Sequence, residues 1–244
     1  MKRFTTSWMR VMLLGLVSLF AFQEAGAATV SYDGINYTTS GTKATVKRYT
    51  FTKGDTTFYK GDIVIPETFE LKGVTYTVVA TGANAFVDCR ELTSLQLPKT
   101  CVTIGRNSFK GCTALKNDPT PATATSLGNG YLQDCSSITE VTIPAGVPGT
   151  FTAQNLAGMT SLKKITFADS ETPFKMSVLA FVNNLGEGVK SPIEEIYFGR
   201  NLDEGSGSNM PFRGIKTLKK VTFGGNFTTV DAEMFMGCTG LTEV

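Results

Sequence analysis

Side chains that could support catalysis are scarce in this sequence, and one type is missing altogether. The 244 residues contain no histidine, which excludes Ser-His-Asp triads, HExxH zinc sites and imidazole general bases. Carboxylate or Ser-Lys chemistry survives this exclusion. Two carboxylates, Glu67 and Glu70, lie close together in the sequence. Glycosidases need two carboxylates across a cleft, and nothing places these two in one, so we identify no catalytic residue.

One segment has the composition of a metal-binding loop. Residues 203–209 (Asp-Glu-Gly-Ser-Gly-Ser-Asn) combine oxygen ligands with glycines. The segment lacks the alternating acids and the closing glutamate of an EF-hand. We interpret it as a solvated loop, with weak calcium binding as the alternative. We therefore predict no metal and no cofactor.

Five cysteines are an odd number for a disulfide framework. They lie at positions 89, 101, 112, 135 and 238. Cys89, Cys112 and Cys135 share one position of a sequence repeat, where Met159 and Ile215 stand in other copies. Because apolar residues occupy this position in other copies, we interpret these cysteines as small buried hydrophobic residues. We expect five free thiols. The alternatives are disulfides between adjacent coils, or a Cys101 that lies in a turn and is reactive or paired.

The N-terminal 27 residues have the order of a secretory signal peptide. A basic start precedes an apolar run at 11–22, and Ala25-Gly26-Ala27 offers small residues for cleavage. The apolar run is too short to span a bilayer. Without this leader the chain holds twenty basic and twenty acidic residues. A nucleic-acid partner is therefore not expected, because such binding needs a net basic field.

A sequence repeat runs through most of the chain. Its frame is Phe86…Cys89…Leu92…Leu95-Gln96-Leu97, with two residues between successive key positions. The leucine position recurs at residues 92, 115, 138, 162, 193, 218 and 241. One copy is longer: it opens at Phe181 and is interrupted by an insertion around 185–190. So regular a period indicates a repeat architecture.

Each copy has the pattern of one solenoid coil. The alternation in Leu95-Gln96-Leu97 predicts a short strand with one buried face. Phe109 and Cys112 suit a helical or 3₁₀ turn on the opposite wall, and Thr103-Ile104-Gly105 suits a second extended piece. A single coil cannot cover its apolar residues, whereas stacked coils bury them as one core. We predict a β-rich repeat solenoid of the leucine-rich-repeat type, α/β by classification.

The sequence suggests three segments: a signal peptide at 1–27, a small N-terminal β cap at 28–58 and the solenoid at 59–244. Strand-like alternation at 30–32 and 44–46 supports the cap. Val244 is the first inward position of a strand whose continuation is missing. We expect the natural protein to continue beyond it, so that the solenoid is truncated at the C-terminus.

The repeats resemble the BspA-like leucine-rich repeats of bacterial surface proteins. The resemblance covers roughly residues 59–244 and rests on Gly61-Asp62-Ile63-Val64-Ile65-Pro66, Ala85-Phe86-Val87-Asp88-Cys89 and Leu92-Thr93-Ser94-Leu95-Gln96-Leu97-Pro98, together with Ile104-Gly105…Phe109-Lys110-Gly111-Cys112. It implies a secreted or cell-surface binding module, with adhesion as the best-known theme. The sequence departs from the pattern at Asp118-Pro119-Thr120-Pro121 and in a 31-residue repeat. We expect the sheet to be bulged or interrupted at both places.

Outward strand positions carry charges of alternating sign. One residue per coil gives the column Glu140, Lys164, Glu195, Lys220 and Glu243. A parallel column contains Thr142, Thr166, Tyr197 and Thr222. The charges are either a solvated ladder that avoids like-charge contacts or part of a polar binding strip. For the second case we predict the partner-binding residues Lys164, Glu195, Tyr197 and Lys220, with an exposed Tyr197 anchoring the partner.

Taken together, these features favour an exported, non-enzymatic recognition or adhesion protein. We expect it to bind an extracellular protein or glycan through the open sheet face, and to have no integral membrane span in its mature chain. The alternative is a structural spacer or accessory module that presents a further C-terminal domain.

Overall fold

The computed structural model describes residues 27–49, 58–148, 150–176, 192–202, 212–228, 230 and 233–244. Nearly all of the predicted signal peptide lies outside these residues. The same holds for the glycine-rich segment 203–209 and for Phe181 with the insertion that follows it.

The described residues of the first half of the chain form nine strands. They are β1 (Ala28–Tyr32), β2 (Ile35–Ser40), β3 (Lys43–Val46), β4 (Gly61–Val64), β5 (Thr68–Leu71), β6 (Val74–Thr81), β7 (Leu92–Gln96), β8 (Thr103–Ile104) and β9 (Ser126–Leu127). Strands β1, β2 and β3 form an antiparallel meander. Strand β3 pairs in parallel with β6, and β8 and β9 continue that sheet. The N-terminal strands are therefore hydrogen-bonded to one wall of the coils and share a sheet with it.

In the second half, the residues that the structure describes form six short strands and one 3₁₀ helix. They are β10 (Glu140–Ile143), β11 (Thr150–Phe151), the helix Ala153–Leu156, β12 (Lys164–Phe167), β13 (Lys175–Met176), β14 (Glu195–Phe198) and β15 (Lys220–Phe223). Strands β10, β12, β14 and β15 form a four-stranded parallel sheet. One coil thus adds one strand to this sheet, as the repeat predicts.

Inward residues of the repeat build a continuous core. Six of the seven leucine-position residues, from Leu92 to Leu218, are buried, and Leu241 is half-buried. Aromatic side chains stack from coil to coil: the rings of Phe167 and Phe198 lie 5.4 Å apart and 6° from parallel. On the opposite wall, the tight turns of adjacent coils are joined by backbone hydrogen bonds. Phe86 N donates to Ser108 O, and Phe109 N donates to Tyr131 O. Each coil is therefore stabilised mainly by its neighbours.

Three glycines in the first half of the chain lie where neighbouring backbone segments approach closely. Gly82, Gly105 and Gly128 follow β6, β8 and β9. A Cβ on Gly105 would lie 2.5 Å from Gly82 O and 2.7 Å from Ala83 N. One on Gly128 would lie 2.6 Å from the Cα of Arg106. These atoms belong to the backbone, so a side chain at either position would force adjacent coils apart.

The predicted interruption at residues 118–121 is confirmed, since β7 and β10 belong to different sheets. Prolines 119 and 121 have no N–H for a ladder, and two side chains replace the missing backbone bonds. Asn117 pairs with Leu95 in both directions, at 3.2 Å from Leu95 N to Oδ1 and 2.8 Å from Nδ2 to Leu95 O. Asp118 Oδ2 accepts a bond from Thr142 N at 3.0 Å. The first edge of the four-stranded sheet is thereby closed by a carboxylate.

We also predicted that the sheet would be bulged or interrupted in the 31-residue repeat, and this prediction is wrong. Strands β12 and β14 pair in continuous register from Lys164↔Glu195 to Phe167↔Phe198. The extra residues therefore leave the sheet without a bulge.

A buried arginine ties distant coils together. Arg200 follows β14, is fully buried and donates to four backbone carbonyls of residues 143–147. Its distances run from 2.6 Å to Pro144 O to 3.3 Å to Ile143 O. The Cζ atom lies 5.0 Å from the centre of the Phe174 ring. The side chain thus holds the turn after β10 to the end of β14, across the coil that contains β12.

All five cysteines are buried and unpaired, which confirms the five free thiols and the burial of Cys89, Cys112 and Cys135 that we predicted. Three of them also bond to the preceding coil: Cys112, Cys135 and Cys238 donate to the carbonyls of Phe86, Phe109 and Phe212, at 3.0–3.1 Å from Sγ to O. Cys101 is fully buried, so the alternatives of an exposed reactive thiol or a disulfide do not hold for it. Burial raises the pKa of Cys101 and of Cys135 to about 12.

Native thiols should therefore be almost inert. The thiolate is the reactive form. Burial raises the pKa of Cys101 and Cys135 and denies a reagent access to all five sulfurs, including Cys89, whose pKa is lowered by its hydrogen bond with Cys112. We expect negligible reaction of the folded protein with a thiol reagent and rapid reaction of all five cysteines in denaturant without reductant. Fewer than five thiols in denaturant would reveal a disulfide and contradict the structure.

Candidate functional site

The open face of β10, β12, β14 and β15 brings together the residues predicted for partner binding. In register, Lys164 lies beside Glu195, and Glu195 beside Lys220. Glu140 continues this column on one side and Glu243 on the other. Tyr197 lies between Thr166 and Thr222 in the parallel column. All of these side chains are exposed or half-buried, so the face is open to solvent.

The structure contains a second charged column, which we did not predict from the sequence. Lys163, Glu194 and Lys219 immediately precede the first residues of β12, β14 and β15. Lys163 Nζ lies 3.4 Å from Glu194 Oε1, and Lys219 Nζ lies 2.6 Å from Glu194 Oε2. The signal was present as Lys-Lys, Glu-Glu and Lys-Lys doublets at the same repeat position. The coils of β12, β14 and β15 therefore each present two like charges, and the sign alternates from one coil to the next.

The predicted charge column contains one further ion pair at its C-terminal side. Lys220 Nζ lies 3.0 Å from Glu243 Oε2. The hydrogen bond to Glu243 raises the pKa of Lys220, with smaller contributions from the charges of Glu243 and Glu195. Exposed pairs of this kind contribute little to folding stability. Their main effect is to fix the pattern of charge that an approaching partner meets.

Tyr197 differs from the exposed side chain that we predicted. It is half-buried, and its hydroxyl donates to Asp169 Oδ1 at 2.9 Å. This bond raises the pKa of Tyr197. A Cβ on Gly224 would lie 2.6 Å from both the tyrosine hydroxyl and the Asp169 oxygen, so glycine leaves room for the pair. The ring is fixed in position, and its hydroxyl already has a partner.

The contacts of Glu194 lead to a pH prediction. The hydrogen bond from Lys219 comes first, and with the charge of Lys219 and the contacts of Lys163 it lowers the pKa of Glu194. A lowered pKa means that the interaction is present above the usual glutamate pKa, about 4.3, and is lost as pH falls through the lowered value. In an NMR titration of side-chain carboxyls, Glu194 should titrate below the usual range, and Lys219→Ala should move it upward.

Lys99→Ala is the matched control for this titration, because Lys99 lies 3.9 Å from Glu67, a carboxylate outside this face. It should leave the Glu194 midpoint unchanged. A Glu194 midpoint that does not respond to Lys219→Ala would show that the ion pair does not form in solution.

The other sequence candidates do not assemble into a site. Glu70 is exposed on β5, and Glu67 precedes that strand and pairs with Lys99. Among the described residues, no three His, Cys, Asp or Glu side chains are arranged to hold a metal ion. The described part of the chain also contains no helix with the length and hydrophobicity needed to cross a membrane.

The architecture is that of a leucine-rich-repeat solenoid. Its coils stack in parallel, and each repeat has an inward residue at the leucine position. The sequence profile of the BspA type leucine-rich repeat region matches residues 79–201 and 190–244, in six copies. The chain therefore belongs to the BspA-type leucine-rich repeat family, as its repeats predict. This family is defined by a structural repeat.

Several solved structures are similar to this chain. A leucine-rich repeat protein of T. pallidum is 20% identical over 82% of this chain and 84% of its own, with a TM-score of 0.54. A leucine-rich cell surface protein of Faecalibacterium prausnitzii is 16% identical, with 91% and 83% coverage and a TM-score of 0.44. A leucine-rich repeat protein of Bacteroides capillosus is 20% identical, with 61% and 98% coverage and a TM-score of 0.45. No curated protein shows significant similarity to the chain.

Proposed function

We propose that the chain is an exported, non-enzymatic recognition protein of the cell surface or the secreted fraction. The proposed binding surface is the open face of β10, β12, β14 and β15, centred on Lys164, Glu195, Tyr197 and Lys220. Export would use the N-terminal 27 residues as a cleavable leader. The partner would be an extracellular protein or glycan.

The observation that carries this proposal is the shared exposure of ordered charges and a fixed aromatic ring on one sheet. Two charged columns hold four lysines and four glutamates, at 163, 164, 219 and 220 and at 140, 194, 195 and 243. The face is therefore patterned but has no net charge. Such a surface selects a partner by complementary pattern rather than by long-range attraction.

Tyr197 is the residue expected to contribute most to affinity. Interface energy concentrates in aromatic and arginine side chains that are already ordered. The bond to Asp169 keeps the tyrosine ring in one orientation, so little side-chain entropy is lost when a partner packs against it. Lys220 lies one strand away and is held by Glu243.

The proposal is tested by screening the purified protein against immobilised extracellular-matrix proteins and a glycan array. Every positive is measured again with the double variant Tyr197→Ala/Lys220→Ala. Arg90→Ala/Lys110→Ala, which removes two cations from turns on the opposite wall, is the matched control. The first variant should bind at least about tenfold more weakly, and the control should bind like the wild type. Unchanged binding by a folded Tyr197→Ala/Lys220→Ala variant would disprove the proposed surface.

A further inference from the structure

A pocket of about 460 Å³ lies between the N-terminal meander and the first coil. Its walls come from the β1–β2 turn at Asp33 and Gly34, from β4, and from residues 58–60 that lead into β4. Every lining residue belongs to the described part of the chain. The volume is within the range of sites that hold a small molecule or a single ring.

The pocket has aromatic and aliphatic walls. Phe58 is 36% exposed, Val64 is 67% exposed and Tyr49 is half-buried. Tyr59 supports Tyr49 from behind in an edge-to-face contact with ring centres 5.6 Å apart. The Tyr59 hydroxyl accepts a bond from Asn36 N at 2.9 Å and donates to Lys47 O at 3.1 Å. These bonds fix the aromatic wall before any ligand arrives.

Polar groups of both signs surround these walls. Asp33, Asp62 and Lys60 are exposed lining residues. Asp62 Oδ1 accepts a bond from the Thr93 hydroxyl at 2.7 Å, which orients the carboxylate. Tyr37 lies in the wall behind them, fully buried, and its hydroxyl has no hydrogen-bond partner among the described residues. This hydroxyl has no accessible surface, so the groups that a ligand can reach are the side chains in front of it.

We propose that this pocket binds one ring of an uncharged sugar. The two carboxylates disfavour an anion, and together with Lys60 they place hydrogen-bond acceptors and a donor around the pocket. A sugar ring offers hydroxyls that donate to carboxylates and accept from lysine, while its C–H face packs on an aromatic ring. The site is formed by the first coil and the meander, whereas the proposed recognition face begins at β10. The inference is therefore independent of the proposed function.

The test is saturation-transfer NMR on the purified protein with the methyl glycosides of glucose, galactose, mannose, fucose, xylose and N-acetylglucosamine. Glucuronate, glucosamine and an unstructured peptide serve as charged and peptidic probes. At least one neutral glycoside should receive saturation, strongest at the protons of one ring face. Its dissociation constant should rise about tenfold in Tyr49→Ala.

A second variant separates loss of binding from loss of folding. Asp33→Asn/Asp62→Asn keeps both shapes, and asparagine tolerates the left-handed backbone at position 33, where φ is 47°. It should melt like the wild type and bind the sugar about fivefold more weakly. Tyr197→Ala should leave this binding unchanged.

Three results would overturn the inference. The first is no transfer to any neutral glycoside, and the second is transfer only to the charged probes or to the peptide. The third is sugar binding that survives both pocket variants but is lost in Tyr197→Ala. That last result would assign the sugar to the sheet face and would support the proposed function.

Discussion

Gly105→Ala should destabilise the protein strongly, because the added methyl group would collide with the backbone of the neighbouring coil. The new Cβ would lie 2.5 Å from Gly82 O and 2.7 Å from Ala83 N, and neither backbone atom can rotate away. Gly105 does not have a left-handed backbone, so the effect is purely steric. We expect a loss of about 3 kcal/mol in the free energy of unfolding, seen as a melting temperature lower by roughly 10 °C.

Gly225→Ala is the matched control, because a Cβ there has no neighbour within 4 Å and the backbone is not left-handed. It should leave the melting temperature unchanged or raise it slightly, since alanine reduces the freedom of the unfolded chain. Gly128→Ala should behave like Gly105→Ala. If the Gly105→Ala and Gly225→Ala variants have the same melting temperature, the coils are not in contact along this wall.

Arg200→Met should cause the second large loss of stability. Methionine has a similar length, but it leaves the four carbonyls that Arg200 contacts at residues 143–147 without their donor. A buried acceptor without a partner costs about 1 kcal/mol or more, so we expect a total loss of about 3 kcal/mol. Chemical denaturation followed by circular dichroism measures this difference.

Two comparisons make the Arg200 result specific. Arg90→Met removes an arginine whose side chain is 74% exposed and should change stability by less than about 0.5 kcal/mol. Arg200→Lys keeps a cation with three donors and should fall between the two methionine variants. An Arg200→Met protein as stable as the wild type would show that the carbonyls of residues 143–147 find other partners.

Much of the sheet face could be predicted because the repeat period fixes it. Once the leucine positions are aligned, the register Lys164↔Glu195 and Glu195↔Lys220 follows from counting. The counting also holds across the longer repeat, since the extra residues are accommodated outside the paired strands. We expected a bulge there because we assumed that the extra residues of the longer repeat would also disturb its strand. That expectation was wrong.

Features that depend on single side chains could not be predicted in this way. Asn117 replaces a strand by pairing its amide with Leu95, and the sequence shows only a polar residue before a proline-rich segment. Arg200 contacts residues more than fifty positions earlier and has the pattern of a solvent-exposed residue after a strand. Likewise, the bond from Tyr197 to Asp169 joins a residue of β14 to a loop residue after β12 that no periodicity relates to it.

These same contacts position the proposed recognition face. Asp118 closes the β10 edge through Thr142, Arg200 holds the turn after β10 to the end of β14, and Asp169 fixes Tyr197. These contacts fix the shape of the surface, and the two charged columns determine its pattern of positive and negative charge. A partner would therefore meet a rigid sheet, and binding would require little rearrangement of the backbone.

The central claim, recognition through this face, is tested most directly by photo-crosslinking to the partner found in the screen. A photoreactive phenylalanine analogue is placed at position 166 or 222, on either side of Tyr197, or at position 90 or 110 on the opposite wall. We expect crosslinks from 166 and 222 and none from 90 and 110. Crosslinks from the opposite wall alone, in a protein that binds with wild-type affinity, would contradict the account.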